Sequence, residues 1–266
     1  MTATEPTEKI LPSPDYVQSL ARGGLAVIRC FDNRNQRRTL SDVARATDLT
    51  RATARRFLLT LVELGYVATD GSAFWLTPRV LELGYSYLSS LSLPEVAQPH
   101  LERLSHKVHE SSSVSILDGA DIVYVARVPV SRIMTVGITI GTRLPAYATS
   151  MGRVLLAGLP DDELDAYLEK LDIQRLTERT ITARDDLKAA ILAVRADGIC
   201  VLDQELEAGL RSMAAPIRNA SGLTVAAVNI STPAARYSLE DLHSDLIPSL
   251  RVTATDIEQD LATVNR

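Results

Sequence analysis

The segment spanning residues 39–76 constrains the fold of this chain more than any other part of it. It reads TLSDVARATDLTRATARRFLLTLVELGYVATDGSAFWL. Two short helical patterns meet across a turn at Thr47-Asp48-Leu49, and a hairpin signal at Asp70-Gly71 follows directly. This order is typical of a winged helix-turn-helix, a module that places its second helix in the major groove of DNA. The segment therefore predicts a DNA-binding unit.

Positive charge is concentrated around the same segment. Residues 22–56 contain nine Arg against three Asp, a local net charge of +6. The whole chain carries −5, so the remaining residues sum to −11 (−5 minus +6). In an otherwise acidic protein, one basic stretch is expected to form the surface that meets a polyanion.

The two helices of the motif have different predicted roles. The first is expected to begin at Ser41, and the second, the recognition helix, to begin after the N-cap residue Thr50. Side chains on the exposed faces of the recognition helix can reach bases or phosphates. A solvated, charged helix face is the alternative interpretation, but the hairpin and the turn spacing favour DNA binding. The candidate DNA contacts are Thr50, Arg51, Thr53, Arg55 and Arg56.

The longer second half mixes strand and helix patterns, which predicts an α+β domain built around an antiparallel sheet. Two alternating segments flank Asp118-Gly119 and indicate a hairpin. Further strands are expected over 134–140 and 225–231. Helices are expected over 96–109, 151–159, 163–171, 185–197 and, with a break at Pro248, 239–264.

Catalysis is not expected, since the chain contains no G-x-S-x-G, P-loop or G-x-G-x-x-G motif. Three acidic residues could imitate an acid/base cluster, but their alternation predicts one solvated face. They are Asp203, Glu205 and Glu207.

Neither a metal nor a cofactor is predicted. His106 and His109, with Glu102 and Glu110, have a helical spacing that can hold zinc, but charged helix faces often produce such sets. The two cysteines, Cys30 and Cys200, are expected to be reduced thiols. The polar N-terminus and the short apolar runs predict neither a secretory signal nor a membrane span, which indicates a cytoplasmic protein.

Motifs in both halves resemble the IclR family of bacterial transcriptional regulators over about residues 19–264. The first half rests on SLARGGLAVIRCF, on the helix-turn-helix and on LTPRVLELG. The second half rests on PAYATSMGRVLLAGLP, DGICVLDQELEAGLRSMAAPI and VAAVNISTP. Longer runs such as HESSSVSILDGADIVYVARV are similar to the Pca/Pob subgroup, which regulates protocatechuate and 4-hydroxybenzoate breakdown through the β-ketoadipate pathway. Gly23-Gly24 is doubled where the family pattern has one glycine, which can shift the first helix.

The resemblance implies a homo-oligomer, a dimer or a dimer of dimers, and a GAF-like effector-binding domain. The expected organisation is a flexible tail over 1–18, the winged helix-turn-helix over 19–77, a linker helix over 78–94 and the effector-binding domain over 95–266. An apolar stripe along the linker helix also favours a partner subunit, because the small N-terminal module cannot cover it.

The resemblance further implies a pocket for a small carboxylic or aromatic acid. The start of a helix offers free backbone N–H groups to a carboxylate, and Asn229 and Ser231 share one strand face. Internal hydrogen bonds are the alternative role for these polar side chains. For Met134 we expect core packing, and for Arg132 and Arg143 a solvated position rather than a contact with the acid. The pocket residues carried over from the family pattern to this chain are Thr149, Ser150, Met151, Gly152, Asp203, Ser212, Asn229 and Ser231.

The sequence thus predicts an effector-responsive regulator that binds double-stranded DNA and controls genes of aromatic catabolism. Two alternatives stay open: an architectural DNA-binding protein without an effector, and a regulator of an unrelated carboxylic-acid pathway. Activation and repression are both compatible with this prediction.

Overall fold

The computed structural model describes residues 23–32, 35–83, 92–130 and 137–264. The chain divides into two compact units, Met1–Tyr87 and Leu88–Arg266. The predicted tail, residues 84–91 of the predicted linker helix, Arg132 and Met134 lie outside the described residues.

The N-terminal unit contains the predicted winged helix-turn-helix. Its strands pair as an antiparallel hairpin with Ala68 opposite Trp75, and an isolated bridge joins Arg38 to Phe74. The 3-10 helix Pro78–Val80 follows, and residues 81–83 are helical. The elements are α1 (Ala26–Arg29), α2 (Leu40–Thr47), α3 (Arg51–Glu63), β1 (Val67–Thr69) and β2 (Phe74–Leu76).

The start of α2 differs from the prediction. Thr39 rather than Ser41 is the N-cap, since its hydroxyl accepts a hydrogen bond from the Asp42 N–H at 3.3 Å. The Asp42 carboxylate accepts one in return from the Thr39 N–H at 3.2 Å. This capping box satisfies two N–H groups of the first turn. Ser41 was a wrong choice because the helix begins at Leu40, so Ser41 is already its second residue.

The doubled glycine is accommodated before α1. Residues 23–25 form a π-helical turn that runs directly into α1. A π turn holds more residues than an α turn, so it can take up an additional glycine. A Cβ atom on Gly23 would lie 1.8 Å from the Phe57 ring, whereas one on Gly24 would meet nothing within 4 Å. Gly23 therefore permits the close approach to α3, and Gly24 does not contribute to it.

The C-terminal unit is built on one six-stranded antiparallel sheet with the strand order β5-β4-β3-β8-β7-β6. The strands are β3 (Ser111–Asp118), β4 (Asp121–Val128), β5 (Arg143–Pro145), β6 (Cys200–Asp203), β7 (Leu210–Arg218) and β8 (Thr224–Pro233). The helices are α4 (Ser92–Val108), α5 (Ser150–Ala157), α6 (Asp161–Lys170), α7 (Arg184–Asp197), α8 (Leu239–Asp241) and α9 (Ile247–Val264).

Each face of the sheet has its own core. On one face, α4 and α9 cover residues such as Val114, Val228 and Ile230. On the other face, α5 packs on β7 and β8, and α6 and α7 complete the layer. We call this second side the α5 face. The predicted α+β fold with an antiparallel sheet is confirmed.

Two predicted details of this unit were wrong. Residues 137–140 are irregular rather than a strand. The strand at this edge of the sheet, which pairs with the outer side of β4, is β5. Pro94 lies near the start of α4, where a missing N–H is tolerated. Pro248 lies in the first turn of α9, directly after the π-helical segment Leu242–Leu246, and the helix is not broken there.

We expect the two glycines before α1 to respond oppositely to alanine. Gly23→Ala should lower the free energy of unfolding of the N-terminal unit by about 1–3 kcal/mol, because the new methyl group overlaps the Phe57 ring. Gly24→Ala is the matched control and should raise it by up to about 1 kcal/mol. Urea unfolding followed by the fluorescence of Trp75, the single Trp of the chain, measures this unit alone. Equal effects of the two substitutions would contradict the close approach.

Candidate functional site

The start of the recognition helix α3 is fixed by its predicted cap. The Thr50 hydroxyl accepts a hydrogen bond from the Thr53 N–H at 3.2 Å, and the two threonine hydroxyls lie 2.9 Å apart. Asp48, in the turn before it, has a positive φ of 54°. Ala54, Leu58 and Leu61 are buried against the rest of the unit. The opposite faces of the helix are therefore directed to solvent.

Three arginines occupy these exposed faces. Arg51, Arg55 and Arg56 are exposed, and within the described residues none of them lies in an ion pair. By contrast, Arg45 lies 3.5 Å from Asp42. The basic segment is therefore divided into arginines with an acidic partner and arginines whose charge is free to meet another molecule.

The hairpin is stabilised through Asp70. Its carboxylate accepts hydrogen bonds from the Ser72 and Ala73 N–H groups at 2.9 and 2.8 Å, and these bonds hold the pKa of Asp70 far below its usual range. Arg37 lies 2.5 Å from the same carboxylate and stacks on Trp75 at 4.0 Å from the ring centroid. The sequence reasoning missed this pairing, which connects residues 33 positions apart.

The start of α5 lies close against the 3-10 turn Ala146–Ala148 that precedes it. The Thr149 hydroxyl accepts a hydrogen bond from the Gly152 N–H at 3.1 Å and caps the helix. A Cβ atom on Gly152 would lie 2.1 Å from the Ala146 carbonyl oxygen, so only glycine fits there. Met151 is buried in the core of the α5 face. Of the four carried-over residues at this helix start, only Ser150 has a buried polar side-chain atom without a hydrogen-bond partner.

Polar side chains from neighbouring strands meet on the α5 face. Strand register places Ser113 opposite Asn229, and Ser231 opposite Ser212. The Asn229 amide donates a hydrogen bond to the Ser231 hydroxyl at 3.0 Å. Three of the carried-over residues therefore lie together, and Ser113 joins them although the sequence reasoning did not select it.

Several of these polar groups have no partner. In the described part of the chain, the buried side-chain atoms without a hydrogen-bond partner are Glu110 Oε2, Ser115 Oγ, Arg127 Nε, Ser150 Oγ and Asn229 Oδ1. Buried polar atoms are nearly always hydrogen-bonded, so unpaired ones call for a ligand or water. Four of the five belong to strands β3, β4 and β8 on the α5 face or to the start of α5.

Asp203 is not part of this cluster. In the pairing of β6 with β7, Asp203 lies opposite Arg211, and Leu202 lies opposite Ser212. Because side chains alternate along a strand, Asp203 and Ser212 are on opposite faces of the sheet. Its carboxylate accepts hydrogen bonds from Arg211 at 2.6 Å, from Gln204 at 3.1 Å and from Arg179. The carboxylate is thus already bound within the protein, and these contacts hold its pKa below the usual range against the opposing effect of burial.

Glu205 is not on a solvated face, which corrects the prediction. Its side chain is 11% exposed and forms two hydrogen bonds with Arg153, at 3.0 and 2.5 Å. The Ile181 N–H donates to the same carboxylate at 3.3 Å, and Arg153 Nε donates to the Tyr147 carbonyl at 3.0 Å. This buried pair connects α5 to the chain around residue 181. It is structural and leaves no free carboxylate for acid/base chemistry.

Two residues of the metal alternative, Glu102 and Glu110, have other hydrogen-bond partners. Glu110 accepts hydrogen bonds from Thr232 and Arg236, each at 2.9 Å, and burial raises its pKa. The rings of His106 and His109 lie 6.3 Å apart between centroids. Across the described ranges, no three potential metal ligands converge.

Arg143 is held by neighbouring carboxylates, and the two cysteines form no disulfide. Arg143 contacts the carboxylates of Asp118 and Asp121 at 2.5 and 3.2 Å. Both cysteines are free, and burial raises the pKa of Cys200 to about 12. None of the helices in the described part of the chain has the length and apolar character that a membrane span needs.

Two family models match this chain. The IclR helix-turn-helix domain matches residues 19–71, and the model described as bacterial transcriptional regulator IclR, C-terminal, matches residues 85–259. Together they cover both units of the structure.

Curated relatives match along nearly the whole length. The chain is 46% identical to the Pca regulon regulatory protein of Pseudomonas putida, over 92% of this chain and 84% of the relative. It is 40% identical to the p-hydroxybenzoate hydroxylase transcriptional activator of Acinetobacter baylyi, over 91% of each.

Solved structures share the fold. A crystal structure of a candidate transcriptional regulator from Rhodococcus sp. RHA1 is 96% identical, with a TM-score of 0.85 over 94% of this chain and 100% of that one. An IclR homologue from Microbacterium hydrocarbonoxydans, solved in complex with 4-hydroxybenzoate, is 26% identical, with a TM-score of 0.81 over 92% and 99%.

We expect the buried pair to be essential for stability. Glu205→Gln should lower the free energy of unfolding by about 3–5 kcal/mol, because it leaves the Arg153 charge buried without its partner. Asp165→Asn removes the carboxylate of an exposed pair with Lys188 and serves as the control, with little change expected. Chemical denaturation followed by far-UV circular dichroism provides the comparison. Equal losses in the two variants would contradict the role assigned to Glu205.

Proposed function

This chain belongs to the IclR family of bacterial transcriptional regulators, and we propose that it controls aromatic-acid catabolism in response to a small aromatic acid. It is a DNA-binding regulator closely related to Pca and Pob regulators and not an enzyme. The proposal rests above all on the buried polar cluster of the α5 face. Its unpaired atoms are suited to a polar ligand, which DNA binding alone would not require.

The proposed DNA contacts lie at the start and along the exposed faces of α3. Arg51, Arg55 and Arg56 carry charges that are not paired within the described residues, so they can bind phosphates or guanine edges. Thr50 and Thr53 are exposed or half-exposed at the first turn, where hydroxyl and backbone N–H groups can meet a phosphate. The Asp70–Ser72 turn would lie beside the DNA backbone.

The proposed effector is an aromatic acid such as 4-hydroxybenzoate or protocatechuate. A solved relative holds 4-hydroxybenzoate, and another relative is named for p-hydroxybenzoate hydroxylase. We assign contacts to Ser150, Met151, Ser212, Asn229 and Ser231. Thr149 and Gly152 position the start of α5. Asp203 is not among the proposed effector contacts, because Arg179 and Arg211 already hold its carboxylate.

Regulation would require two arrangements of the DNA-binding units. We propose a homodimer or dimer of dimers that binds a pseudo-palindromic site in the cytoplasm, where a bacterial operator lies. The effector acts by binding one arrangement more tightly than the other, with the predicted linker helix over 78–94 as the connection.

Removing single charges from α3 tests the DNA contacts. We expect Arg51→Ala, Arg55→Ala and Arg56→Ala each to weaken binding to the chain's own upstream DNA. A phosphate contact should lower the salt-dependence slope by about 0.9, and a base contact should cost about 1–3 kcal/mol and relax specificity. Fluorescence anisotropy at several salt concentrations measures both effects. Arg218→Ala removes the same charge from the C-terminal unit and should leave DNA binding unchanged.

Coupling between the two units is the second test. An inducing acid should change the affinity for the operator by about 5- to 150-fold, and operator DNA must change the affinity for that acid by the same factor. Anisotropy gives the first quantity, and isothermal titration calorimetry with and without operator DNA gives the second. The panel contains 4-hydroxybenzoate, protocatechuate and β-ketoadipate. Equal DNA affinity with every acid would favour an effector-independent protein or an unrelated carboxylic-acid pathway.

A further inference from the structure

Arg127 on β4 has an unusual environment for a cation. It is half-buried, and its Nε–H is buried without a hydrogen-bond partner. One terminal nitrogen donates to the neutral Ser113 hydroxyl at 3.0 Å. Among the described residues it has no carboxylate partner, and burial lowers its pKa. The protein therefore keeps a desolvated positive charge whose guanidinium is only partly hydrogen-bonded.

Other arginines of the C-terminal unit contrast with it. Arg153 is paired with Glu205, Arg211 with Asp203, and Arg143 with two aspartates. A buried charge is costly unless it is paired, so a protein that retains one commonly has a use for it. Among the arginines on the described strands, Arg127 is thus the one whose charge has no carboxylate partner.

A β-bulge directs Arg127 to this face. In the pairing of β3 with β4, Val114 faces Ala126 but Ser115 faces Tyr124, so Val125 is an additional residue. Val125 and Ala126 both pack in the core under α4 and α9. Without the bulge, strict alternation from Tyr124 would direct Arg127 to that other core. The bulge instead places Arg127 and Tyr124 on the same face, a common use of bulges beside binding sites.

Strand register places Arg127 in one row with two other site residues. Arg127 lies opposite Ser113, and Ser113 lies opposite Asn229 on the next strand. Two strand spacings separate Arg127 from Asn229, about 10 Å at ~4.8 Å each. Apolar side chains from Tyr124, Ala214 and Ala227 belong to the core of the same face. The row therefore has a cation at one end and the unpaired Asn229 Oδ1 at the other.

We propose that Arg127 binds the carboxylate of the effector, and that the site accepts a monocarboxylate with a hydrogen-bond donor at its far end, directed to Asn229. This inference rests on the proposed function and specifies the ligand of that site. A guanidinium recognises a carboxylate through paired hydrogen bonds, which a buried site strengthens. One unneutralised cation balances one negative charge. The described strands offer no second unpaired arginine for the other carboxylate of β-ketoadipate.

Calorimetry on the full-length protein tests the assignment. The probes are 4-hydroxybenzoate, protocatechuate, the neutral analogue 4-hydroxybenzamide and the dicarboxylate β-ketoadipate. We expect the wild-type protein to bind an aromatic monocarboxylate about 10- to 100-fold more tightly than the benzamide, the range for loss of a charge-assisted hydrogen bond. Arg127→Gln should lose a similar factor for that acid. Arg127→Lys should fall between, since an ammonium keeps the charge but not the planar fork.

Arg143→Gln is the matched control. It removes an arginine of the adjacent strand β5 whose charge is balanced by Asp118 and Asp121, so acid binding should not change. Thermal unfolding without ligand distinguishes a binding role from a structural one. Arg127→Gln should unfold at the same or a higher temperature than wild type, because it removes an unpaired buried charge. It should also lack the stabilisation that the acid gives wild type.

Each contrary result has a definite meaning. Unchanged affinity of Arg127→Gln, or equal binding of acid and benzamide by wild type, would overturn the assignment and leave the regulator proposal intact. Tighter binding of β-ketoadipate than of both aromatic acids would overturn the monocarboxylate specificity. If wild type binds none of the probes, the assignment and the effector part of the proposed function both fail. DNA binding by the same preparation would then remain.

Discussion

The geometry of the α5 face depends on the buried ion pair between Arg153 and Glu205. Arg153 lies within α5, and its guanidinium also donates to the Tyr147 carbonyl just before that helix. Glu205 lies after β6 and accepts from the Ile181 N–H as well. One carboxylate therefore holds the helix, the segment before it and a loop in a fixed arrangement. The partnerless Ser150 hydroxyl at the start of α5 is positioned by these contacts, which do not involve the ligand.

Local signals predicted the N-terminal unit well because many of its contacts join residues that are close together in the sequence. The Thr50 cap and the hairpin after α3 both depend on residues a few positions apart. The errors arose where the outcome depends on a second partner. Ser41 is a residue type common at N-caps, but Thr39 caps the helix, and Asp42 accepts a hydrogen bond from the Thr39 N–H in return. The Arg37–Asp70 pair, across 33 positions, left no local signal.

The C-terminal site could be predicted only in part. Alternation correctly placed Asn229 and Ser231 on one strand face, and the structure adds that they bond to each other. Glu205 was misassigned because alternation was extended past the end of β6, into a turn where the periodicity no longer applies. Arg127 was not found because its direction depends on the bulge at Val125. Whether a strand contains a bulge is decided by its pairing with a neighbour and not by its own sequence.

The arginines of this protein differ in whether a carboxylate of the same chain neutralises their charge. Where a guanidinium is held by a carboxylate, as in Arg153 or Arg211, its binding capacity is used within the fold. Within the described residues, the arginines of α3 and Arg127 have no such partner, the former in solvent and the latter half-buried. An exposed charge costs little to leave unpaired, so its freedom is weak support for a contact with phosphate. A buried one is costly, and the same absence of a partner is therefore a stronger indication of a ligand at Arg127.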